Sequence, residues 1–373
     1  MKRIVIVFGT RPEAIKLCPL VRELKAYPGK CISRVWVTAQ HRQMLDQVLG
    51  LFEIRPDFDL NIMTHDQTLA RLTSRILENI TELLEAERPD VVVVQGDTTT
   101  TFAVSLAAFY QRIPVAHVEA GLRTNNKYSP FPEEVNRVLT SHLADYHFAP
   151  TEWAKLNLIK EGINSSRIEV TGNTVIDALL WVSDKLMKDN AHFEELGQVD
   201  FSKKIILVTG HRRESFGQGL RNICDALKQI AKAYPEVELV YPVHLNPNVK
   251  GPVYDMLEGI PNIKLIPPLH YAPFVYLMNK CYLIISDSGG IQEEAPSLGK
   301  PVLVTRNNTE RPEAIKAGTA ILVGTDTKKI TYETERLLKD EHRYLSISKK
   351  SNPYGDGKAS KRIVDILLNH IQK

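Results

Sequence analysis

The sequence contains few cysteines, and none of them has the spacing of a metal or redox site. Cys18, Cys31, Cys224 and Cys281 are the four cysteines among 373 residues, and no two of them form a CxxC pair. This spacing argues against a zinc ribbon and a thioredoxin-like motif, so the sequence predicts no metal site. Isolated thiols are typical of a reducing compartment, and on this basis we expect a cytoplasmic protein.

Long hydrophobic runs and an excess of one charge are also missing. The apolar run in MKRIVIVFGTR ends at Gly9 and Arg11, which favours a first β-strand over a signal peptide. No apolar run reaches the length that crosses a membrane. The 47 Lys and Arg residues nearly balance 44 Asp and Glu residues, and the net charge of +3 argues against a bulk nucleic-acid binder. We therefore expect neither a membrane nor a nucleic acid as a partner.

The glycine fingerprint of dinucleotide-binding proteins is absent as well. No GxGxxG follows the first predicted strand, which is where a Rossmann domain that binds NAD would carry it. This absence argues against an NAD-dependent dehydrogenase. The sequence predicts no cofactor.

Apolar, β-branched runs alternate with stretches of helical periodicity along most of the chain. Residues 91–94 are fully apolar, as in a parallel strand that is covered on both faces. The alternation pauses in a polar stretch at about 188–202 and then restarts. Because 373 residues exceed one ordinary core, we predict an α/β protein with two Rossmann-like domains facing a central cleft.

The predicted domain boundaries follow from the same pattern. The N-terminal domain is expected to span residues 1–187, and a C-terminal helix within residues 355–373 is expected to pack back on it. Residues 188–354 form the predicted C-terminal, nucleotide-binding domain.

The hexapeptide RPEAIK occurs twice, at residues 11–16 and 311–316. Each copy follows an apolar strand, with Pro at the first helical position and Glu in the first turn, as at a helix start. We expect the two domains each to offer an Arg from this segment to the cleft. The alternative is an accidental similarity between two helix starts.

Polar residues follow several predicted strands abruptly, where open parallel sheets bind their ligands. Ser288, Gly289 and Gly290 expose backbone N–H groups at a predicted helix start, which favours an anion. The alternative for these glycines is a tight turn without a ligand. Further positive charge is expected from nearby cations: Arg11, Lys16, Arg212, Arg213 and Arg311.

Acidic residues give a second signal at the strand ends. Asp97 and Glu119 end adjacent predicted strands, and Glu133 and Glu134 begin a later helix. Such carboxylates hold sugar hydroxyls or move protons. The alternative for Glu133 and Glu134 is complementarity with the helix dipole, and for Asp97 it is a bond within its own turn. His211, at the head of a cation-rich loop, is either a site residue or an ordinary loop histidine.

A set of longer motifs carries a resemblance that covers nearly the whole chain in order. The motifs are GTRPEAIK, TAQHRQMLDQVL, VQGDTTT, HVEAGLRT, PFPEEVNR, VTGHRRESFG, PVHLNP, SDSGGIQEEAPSLGKPVLV and TERPEA. Together they resemble the non-hydrolysing bacterial UDP-N-acetylglucosamine 2-epimerases. The resemblance implies the glycosyltransferase-B type of fold, conversion between UDP-GlcNAc and UDP-ManNAc for cell-surface polysaccharides, and a homodimer. A glycosyltransferase of this fold that needs an acceptor, or a nucleotide-sugar sensor without turnover, are the alternatives.

The resemblance also implies roles for individual residues. It assigns catalysis to Asp97, Glu119, Glu133 and His211. It assigns the diphosphate and its surroundings to Arg11, Lys16, Ser288, Gly289, Gly290 and Arg311. Glu294 is expected at the ribose hydroxyls and Phe274 beside the uracil. An activator site for a second substrate molecule is implied at Gln40, Gln43 and His244, although Asp66 stands where an activated relative carries Arg.

Overall fold

The computed structural model of the protein describes residues 1–38, 42–62, 67–309 and 311–369. Gln40 and Asp66 lie outside the described residues, as does the side chain of Gln43. The chain divides into two compact units. The first unit contains Met1–Ala178 and Tyr354–Lys373, and the second contains Leu179–Pro353.

Thirteen strands occur in the described ranges. They are β1 Lys2–Phe8, β2 Cys31–Val37, β3 Phe58–Asp59, β4 Val91–Gln95, β5 Val115–Val118, β6 Tyr146–Ala149, β7 Ile168–Val170, β8 Lys204–Thr209, β9 Val237–Pro242, β10 Ile263–Ile266, β11 Leu283–Ser286, β12 Val302–Val304 and β13 Ala320–Leu322.

Fifteen α-helices connect and follow these strands in the same ranges. They are α1 Arg11–Lys25, α2 Arg42–Leu51, α3 Leu69–Glu87, α4 Thr99–Tyr110, α5 Glu133–Leu143, α6 Glu152–Lys160, α7 Thr174–Lys188, α8 Gln218–Ala233, α9 Pro247–Leu257, α10 Tyr271–Lys280, α11 Gly289–Glu294, α12 Pro312–Ala317, α13 Thr327–Lys339, α14 Glu341–Ser348 and α15 Ala359–Asn369.

Each unit contains one parallel sheet. The first sheet has seven strands in the order β3-β2-β1-β4-β5-β6-β7, and the second has six in the order β10-β9-β8-β11-β12-β13. Strand pairing is parallel in both. The order reverses between β1 and β4 in the first sheet and between β8 and β11 in the second. Two Rossmann-like α/β domains are thereby confirmed, whereas the central cleft stays a prediction.

Burial explains the apolar sequence of the central strands. Every residue of β4 is buried, and Ile4–Phe8 of β1 are buried as well. Helices cover both faces of a doubly wound parallel sheet, so both sides of such a strand need apolar side chains. The polar residues that follow each strand are therefore collected at the carboxyl edge of the sheet.

The end of the chain belongs to the first unit. Helix α15 packs against α1, and Lys2 Nζ donates to the Leu367 carbonyl at 3.1 Å. Asp177 on α7 accepts the backbone N–H groups of Ala359 and Ser360 at 3.2 and 2.7 Å. The boundary between the units falls within α7, whereas the predicted boundary at residues 187/188 lies further along this helix. A local composition change locates the polar connection, but the packing of each helix turn decides its unit.

None of the helices in the described ranges is long and apolar enough to cross a membrane. The four cysteines are all buried and none is in a disulfide.

Candidate active site

Glu119 lies at the centre of a polar network at the carboxyl edge of the first sheet. It directly follows β5, is 7% exposed, and has a φ of 63°, which is uncommon for a residue with a side chain. Lys16 Nζ contacts both carboxylate oxygens at 2.7 and 2.6 Å. Asn173 Nδ2 donates to Oε1 at 2.9 Å, and Gln95 Nε2 donates to Oε2. Backbone strain of this kind is concentrated at functional sites, where the surroundings hold it in place.

Asp97 lies at the end of the neighbouring strand, β4, and is held by helix α5. Arg137 forms an ion pair with the Asp97 carboxylate, and Asn136 Nδ2 donates to the Asp97 carbonyl at 3.0 Å. Burial raises the pKa of the Asp97 carboxyl, and Arg137 opposes this shift while the nearby Glu119 adds to it. A carboxyl whose pKa is raised is suited to accepting or donating a proton.

The adjacent residues Glu133 and Glu134 have different environments. Glu134 is buried and accepts the backbone N–H groups of Thr124 at 2.9 Å and Asn125 at 2.8 Å. It also pairs with Arg137 at 3.3 Å. Glu133 is half-buried, and within the described ranges its carboxylate makes neither a hydrogen bond nor an ion pair. Arg137 is four residues further along α5, on the same helix face as Glu133. Glu133 is therefore one helical turn from the residue that pairs with Asp97.

Glu13, inside the first RPEAIK segment, forms hydrogen bonds with two loops at the carboxyl edge of the first sheet. It is 1% exposed and accepts the backbone N–H groups of Gly9 and Thr10 at 3.1 and 2.8 Å. The hydroxyl of Thr98 donates to it at 2.7 Å and that of Thr101 at 3.3 Å. The loop after β1 is thereby joined to the loop after β4, which carries Asp97.

His117 on β5 contacts the loop after β4 from inside the sheet. It is fully buried, and its Nε2 lies 2.8 Å from the Gly96 carbonyl, so Nε2 carries the donated proton. Burial lowers the pKa of His117 to about 4. The residue paired with it on β6 is His147, and burial lowers the pKa of His147 to about 3. Both imidazoles are therefore neutral at pH 7.

His211 lies at the carboxyl edge of the second sheet, after β8. The backbone N–H groups of His211 and Arg212 both donate to Asp287 Oδ2 at 2.8 Å. The rings of His211 and His244 are stacked, with centroids 5.4 Å apart and planes at 17°. Burial lowers the pKa of His211, and His244 and Arg212 add to this shift while Asp287 opposes it.

Ser288, Gly289 and Gly290 follow β11 at the same edge and lead into the short helix α11. Gly290 is exposed, and a methyl group built on it would meet only Glu294 and Ser288 at 3.8 Å, an ordinary contact distance. The packing of the protein itself therefore does not require glycine at residue 290. Close approach of a ligand to the backbone would require it.

Arg311 precedes α12 and is paired with a neighbouring carboxylate. Its guanidinium forms an ion pair with Glu293, whose side chain is 4% exposed. The Glu293 carbonyl accepts from Asn352 Nδ2 at 2.6 Å. Arg11 differs, because no hydrogen bond or ion pair of its side chain occurs in the part of the chain that the structure describes.

Comparison with known proteins decides the family of this chain. The sequence model of the family described as UDP-N-acetylglucosamine 2-epimerase matches residues 22–368. The protein of that name from Yersinia pestis is 60% identical over 372 residues, which cover 99% of each chain. The chain belongs to the UDP-N-acetylglucosamine 2-epimerase family.

Solved structures of relatives agree with this assignment. The UDP-GlcNAc 2-epimerase from Neisseria meningitidis, solved with bound UDP-GlcNAc, is 53% identical, covers 99% of this chain and 100% of its own, and has a TM-score of 0.88. The Methanocaldococcus jannaschii UDP-GlcNAc 2-epimerase, solved with UDP-GlcNAc and UDP, is 38% identical with a TM-score of 0.77 and covers 98% and 99%. The resemblance drawn from the sequence motifs is thus confirmed.

The structure places the predicted residues of this epimerase-family chain in two groups. In the first unit, Asp97, Glu119 and Lys16 meet at one sheet edge, and Glu133 begins the helix that contacts Asp97. In the second unit, the predicted residues lie in the loops and helices that follow β8, β10, β11 and β12: His211, Phe274, Ser288, Gly289, Gly290, Glu294 and Arg311. Their roles stay predictions, and so does the activator role of Gln40, Gln43 and His244.

Sequence reasoning missed the residues that hold these side chains in place. They are Glu13, Gln95, His117, Arg137, Asn173, Asp287 and Glu293. Two signals were present: Arg137 is four residues after Glu133 on one helix face, and Asn173 follows a strand as Asp97 does. In the described ranges, no group of three or more His, Cys, Asp or Glu residues is arranged to hold a metal ion.

Proposed function

We propose that the protein interconverts UDP-GlcNAc and UDP-ManNAc by inverting C2 of the sugar. The observation that carries this proposal is the family match over residues 22–368, together with Asp97 and Glu119 at one sheet edge. The match favours an epimerase over a glycosyltransferase of the same fold. The product supplies ManNAc units for cell-surface polysaccharides.

The chemistry begins at the C1–O bond to UDP, because no carbonyl flanks C2 and its proton is hard to remove directly. Departure of UDP gives C1 oxocarbenium character, which acidifies the C2 proton. Loss of that proton yields 2-acetamidoglucal and free UDP. Addition of UDP back to C1, with protonation of C2 on the other face, gives the epimer.

We assign the leaving diphosphate to cations and backbone N–H groups. Gly289 and Gly290 offer the N–H groups, and Ser288 offers its hydroxyl, because the Ser288 N–H donates to Ser286 Oγ at 2.9 Å. Arg11 supplies a guanidinium without a protein partner in the described ranges. Arg311 adds a second guanidinium and His211 a further donor. One well-placed donor to a developing anion contributes about 2.7–4 kcal/mol. Glu294 holds the ribose hydroxyls and Phe274 lies beside the uracil.

We assign the proton transfers at C2 to Asp97 and Glu133. Asp97 is suited to this by its raised pKa, and Glu133 by a carboxylate that is not committed to a protein partner. Glu119 has donors on both oxygens and serves as a fixed negative charge near the developing oxocarbenium. Lys16 keeps Glu119 in place and adds positive charge on the diphosphate side.

The test is an incubation with UDP-GlcNAc alone in heavy water. An epimerase forms UDP-ManNAc without an acceptor, and elimination requires deuterium at C2 of the product. Absence of deuterium would rule out the elimination route. Conversion that depends on an added acceptor would indicate a glycosyltransferase, and release of free ManNAc with UDP would indicate a hydrolysing enzyme.

A second substrate molecule is proposed to activate the enzyme at Gln40, Gln43 and His244. The stacking of His244 on His211 supports this, because it gives the activator residue direct contact with a catalytic one. Rates measured over a range of UDP-GlcNAc concentrations should rise sigmoidally. In a His244→Ala variant the curve should become hyperbolic, and a hyperbolic wild-type curve would contradict activation.

A homodimer is proposed as the working form. Exposed apolar side chains on neighbouring helices of the first unit support it: Val135 and Leu139 are one turn apart on α5, and Phe109 and Tyr110 end α4. Exposed apolar groups of this kind are typical of protein interfaces. Sedimentation of the wild type should give a dimer, and Leu139→Glu should shift it toward monomer. A monomeric wild type would contradict the proposal.

A further inference from the structure

A buried carboxylate supports the loop that carries His211. Asp287 directly follows β11 and is 1% exposed. Its Oδ2 accepts the backbone N–H groups of His211 and Arg212, both at 2.8 Å. Two short bonds to consecutive residues fix the carboxylate relative to the backbone of this loop.

The other oxygen of Asp287 faces the imidazole of His211. Oδ1 is buried and makes no hydrogen bond with any residue that the structure describes. His211 Nδ1 lies 3.6 Å from it, which is longer than a hydrogen bond. A buried acceptor without a donor is unfavourable. The His211 side chain is 43% exposed, so it is free to rotate the short distance that closes this gap.

We propose that Asp287 is a positioning residue that accepts the Nδ1 proton of His211 and aims Nε2 at the substrate. The assignment of a task to Nε2 rests on the proposed function, in which His211 donates from Nε2 to the leaving diphosphate as the imidazolium, with its other proton on Nδ1. The pairing of Asp287 with His211 does not rest on it. A carboxylate on one ring nitrogen fixes the tautomer and thereby what the other nitrogen offers.

Asp287 also affects the charge of the His211 imidazole, together with the other groups around this ring. Three of them face His211: Asp287, the stacked ring of His244 and the neighbouring Arg212. His244 Nδ1 accepts the Asn246 backbone N–H at 3.1 Å, so its own proton is on Nε2 when it is neutral. A positive charge on both stacked imidazoles at once is unfavourable. Asp287 favours a single positive charge on the His211 ring.

Nitrogen NMR of protein labelled with ¹⁵N-histidine tests the pairing without any turnover. The chain has 11 histidines, and a His211→Gln variant identifies the His211 signals. In the neutral wild type we expect the proton on Nδ1. Asp287→Asn places an amide opposite the ring, so the proton should move to Nε2 and the His211 pKa should fall by about one unit.

Asp177→Asn is the matched control for this variant. Asp177 is also a buried carboxylate that accepts two consecutive backbone N–H groups, and it lies in the first unit. It should leave the tautomer and the pKa of His211 unchanged. A proton on Nε2 of neutral His211 in the wild type would overturn the proposal, and this measurement needs no Asp287 variant. A His211 pKa that stays at its wild-type value in Asp287→Asn would also overturn the proposal.

Kinetics separates this proposal from the proposed function. Asp287→Asn should lower kcat by about 10²-fold, the lower range for a positioned acid or base, with little change in KM. A variant that carries both Asp287→Asn and His211→Gln should be no slower than His211→Gln alone. A loss confined to KM would contradict positioning. A wild type that carries the Nδ1 proton but does not convert UDP-GlcNAc would contradict the proposed function and leave the pairing supported.

Discussion

At the scale of single residues, Glu133 and Glu134 show how neighbours in sequence receive different tasks. The helix dipole explains an acidic residue at either position. Only Glu134 is bound by the preceding loop, through Thr124 and Asn125. The Glu134 carboxylate is committed to these contacts and to Arg137, and the proposed mechanism gives the proton transfer to Glu133.

Glu133→Gln should therefore reduce kcat by about 10²-fold or more, since a positioned acid or base contributes at least that much. UDP affinity by calorimetry and the melting temperature should remain at wild-type values. Equal losses of turnover and affinity would instead assign Glu133 to ligand positioning.

Glu134→Gln is the matched variant and should behave in the opposite way. It removes the charge opposite Arg137 and weakens the bonds to two backbone N–H groups. We expect a loss of about 1–3 kcal/mol in the free energy of unfolding, as for a buried group that loses its partner. Unchanged thermal stability would contradict the structural role.

Gly290 offers a test of the anion site. Gly290→Ala introduces a methyl group where the protein has room for it, so the melting temperature should stay close to that of the wild type. The same methyl group would obstruct a phosphate at the backbone, and UDP affinity should fall by at least about tenfold, or 1.4 kcal/mol. Gly251→Ala, at a helical position with open space around it, should leave UDP affinity unchanged. Wild-type UDP affinity in Gly290→Ala would exclude a close approach there.

At the scale of elements, the two RPEAIK segments begin helices of different kinds. The first begins α1, of 15 residues, and buries Glu13. The second begins α12, of six residues, which ends at Gly318 with a φ of 69°. Glu313 is only half-buried. Identical hexapeptides thus share a way of starting a helix but do not share their contacts.

Glu13→Ala and Glu313→Ala measure this difference directly. Removing the Glu13 carboxylate leaves the N–H groups of Gly9 and Thr10 and the hydroxyl of Thr98 without their acceptor. At about 1–3 kcal/mol for each unsatisfied buried group, we expect a loss of more than about 3 kcal/mol in the free energy of unfolding of the first unit. Glu313→Ala should cost much less. The free energy of unfolding is measured with urea. Similar losses of this free energy in the two variants would contradict this account.

At the scale of the whole molecule, buried histidines predict how stability depends on pH. His117 and His147 have folded-state pKa values lowered to about 4 and about 3 by burial, while the unfolded values lie near 6.5. Between these limits the unfolded chain binds more protons than the folded one. Stability should therefore fall as pH decreases from about 6.5 to 4, by on the order of 1 kcal/mol per pH unit for each histidine.

Urea unfolding midpoints measured between pH 7 and pH 4 should show this slope. A His117→Gln variant keeps a donor for the Gly96 carbonyl and no longer titrates, so its slope should be smaller. A slope as steep as in the wild type would exclude His117 as a source.

The sequence by itself determined the class of the fold and the family. Apolar runs in alternation with helices lead to parallel sheets, and parallel sheets place every strand's carboxyl end at one edge. That is why Asp97 and Glu119 are assignable to one site from sequence alone. Most of the motifs that identify the family lie at those same strand ends, where open parallel sheets bind their ligands.

Only the tertiary structure decided which residues are partners. Lys16 meets Glu119 across 103 residues of sequence, and Asp287 meets the loop of His211 across 76. Periodicity and spacing describe neighbours within one element, whereas these pairs depend on which strands lie side by side. The tertiary structure also decided which copy of RPEAIK buries its Glu, since burial depends on the loops that close over a helix start and not on the hexapeptide.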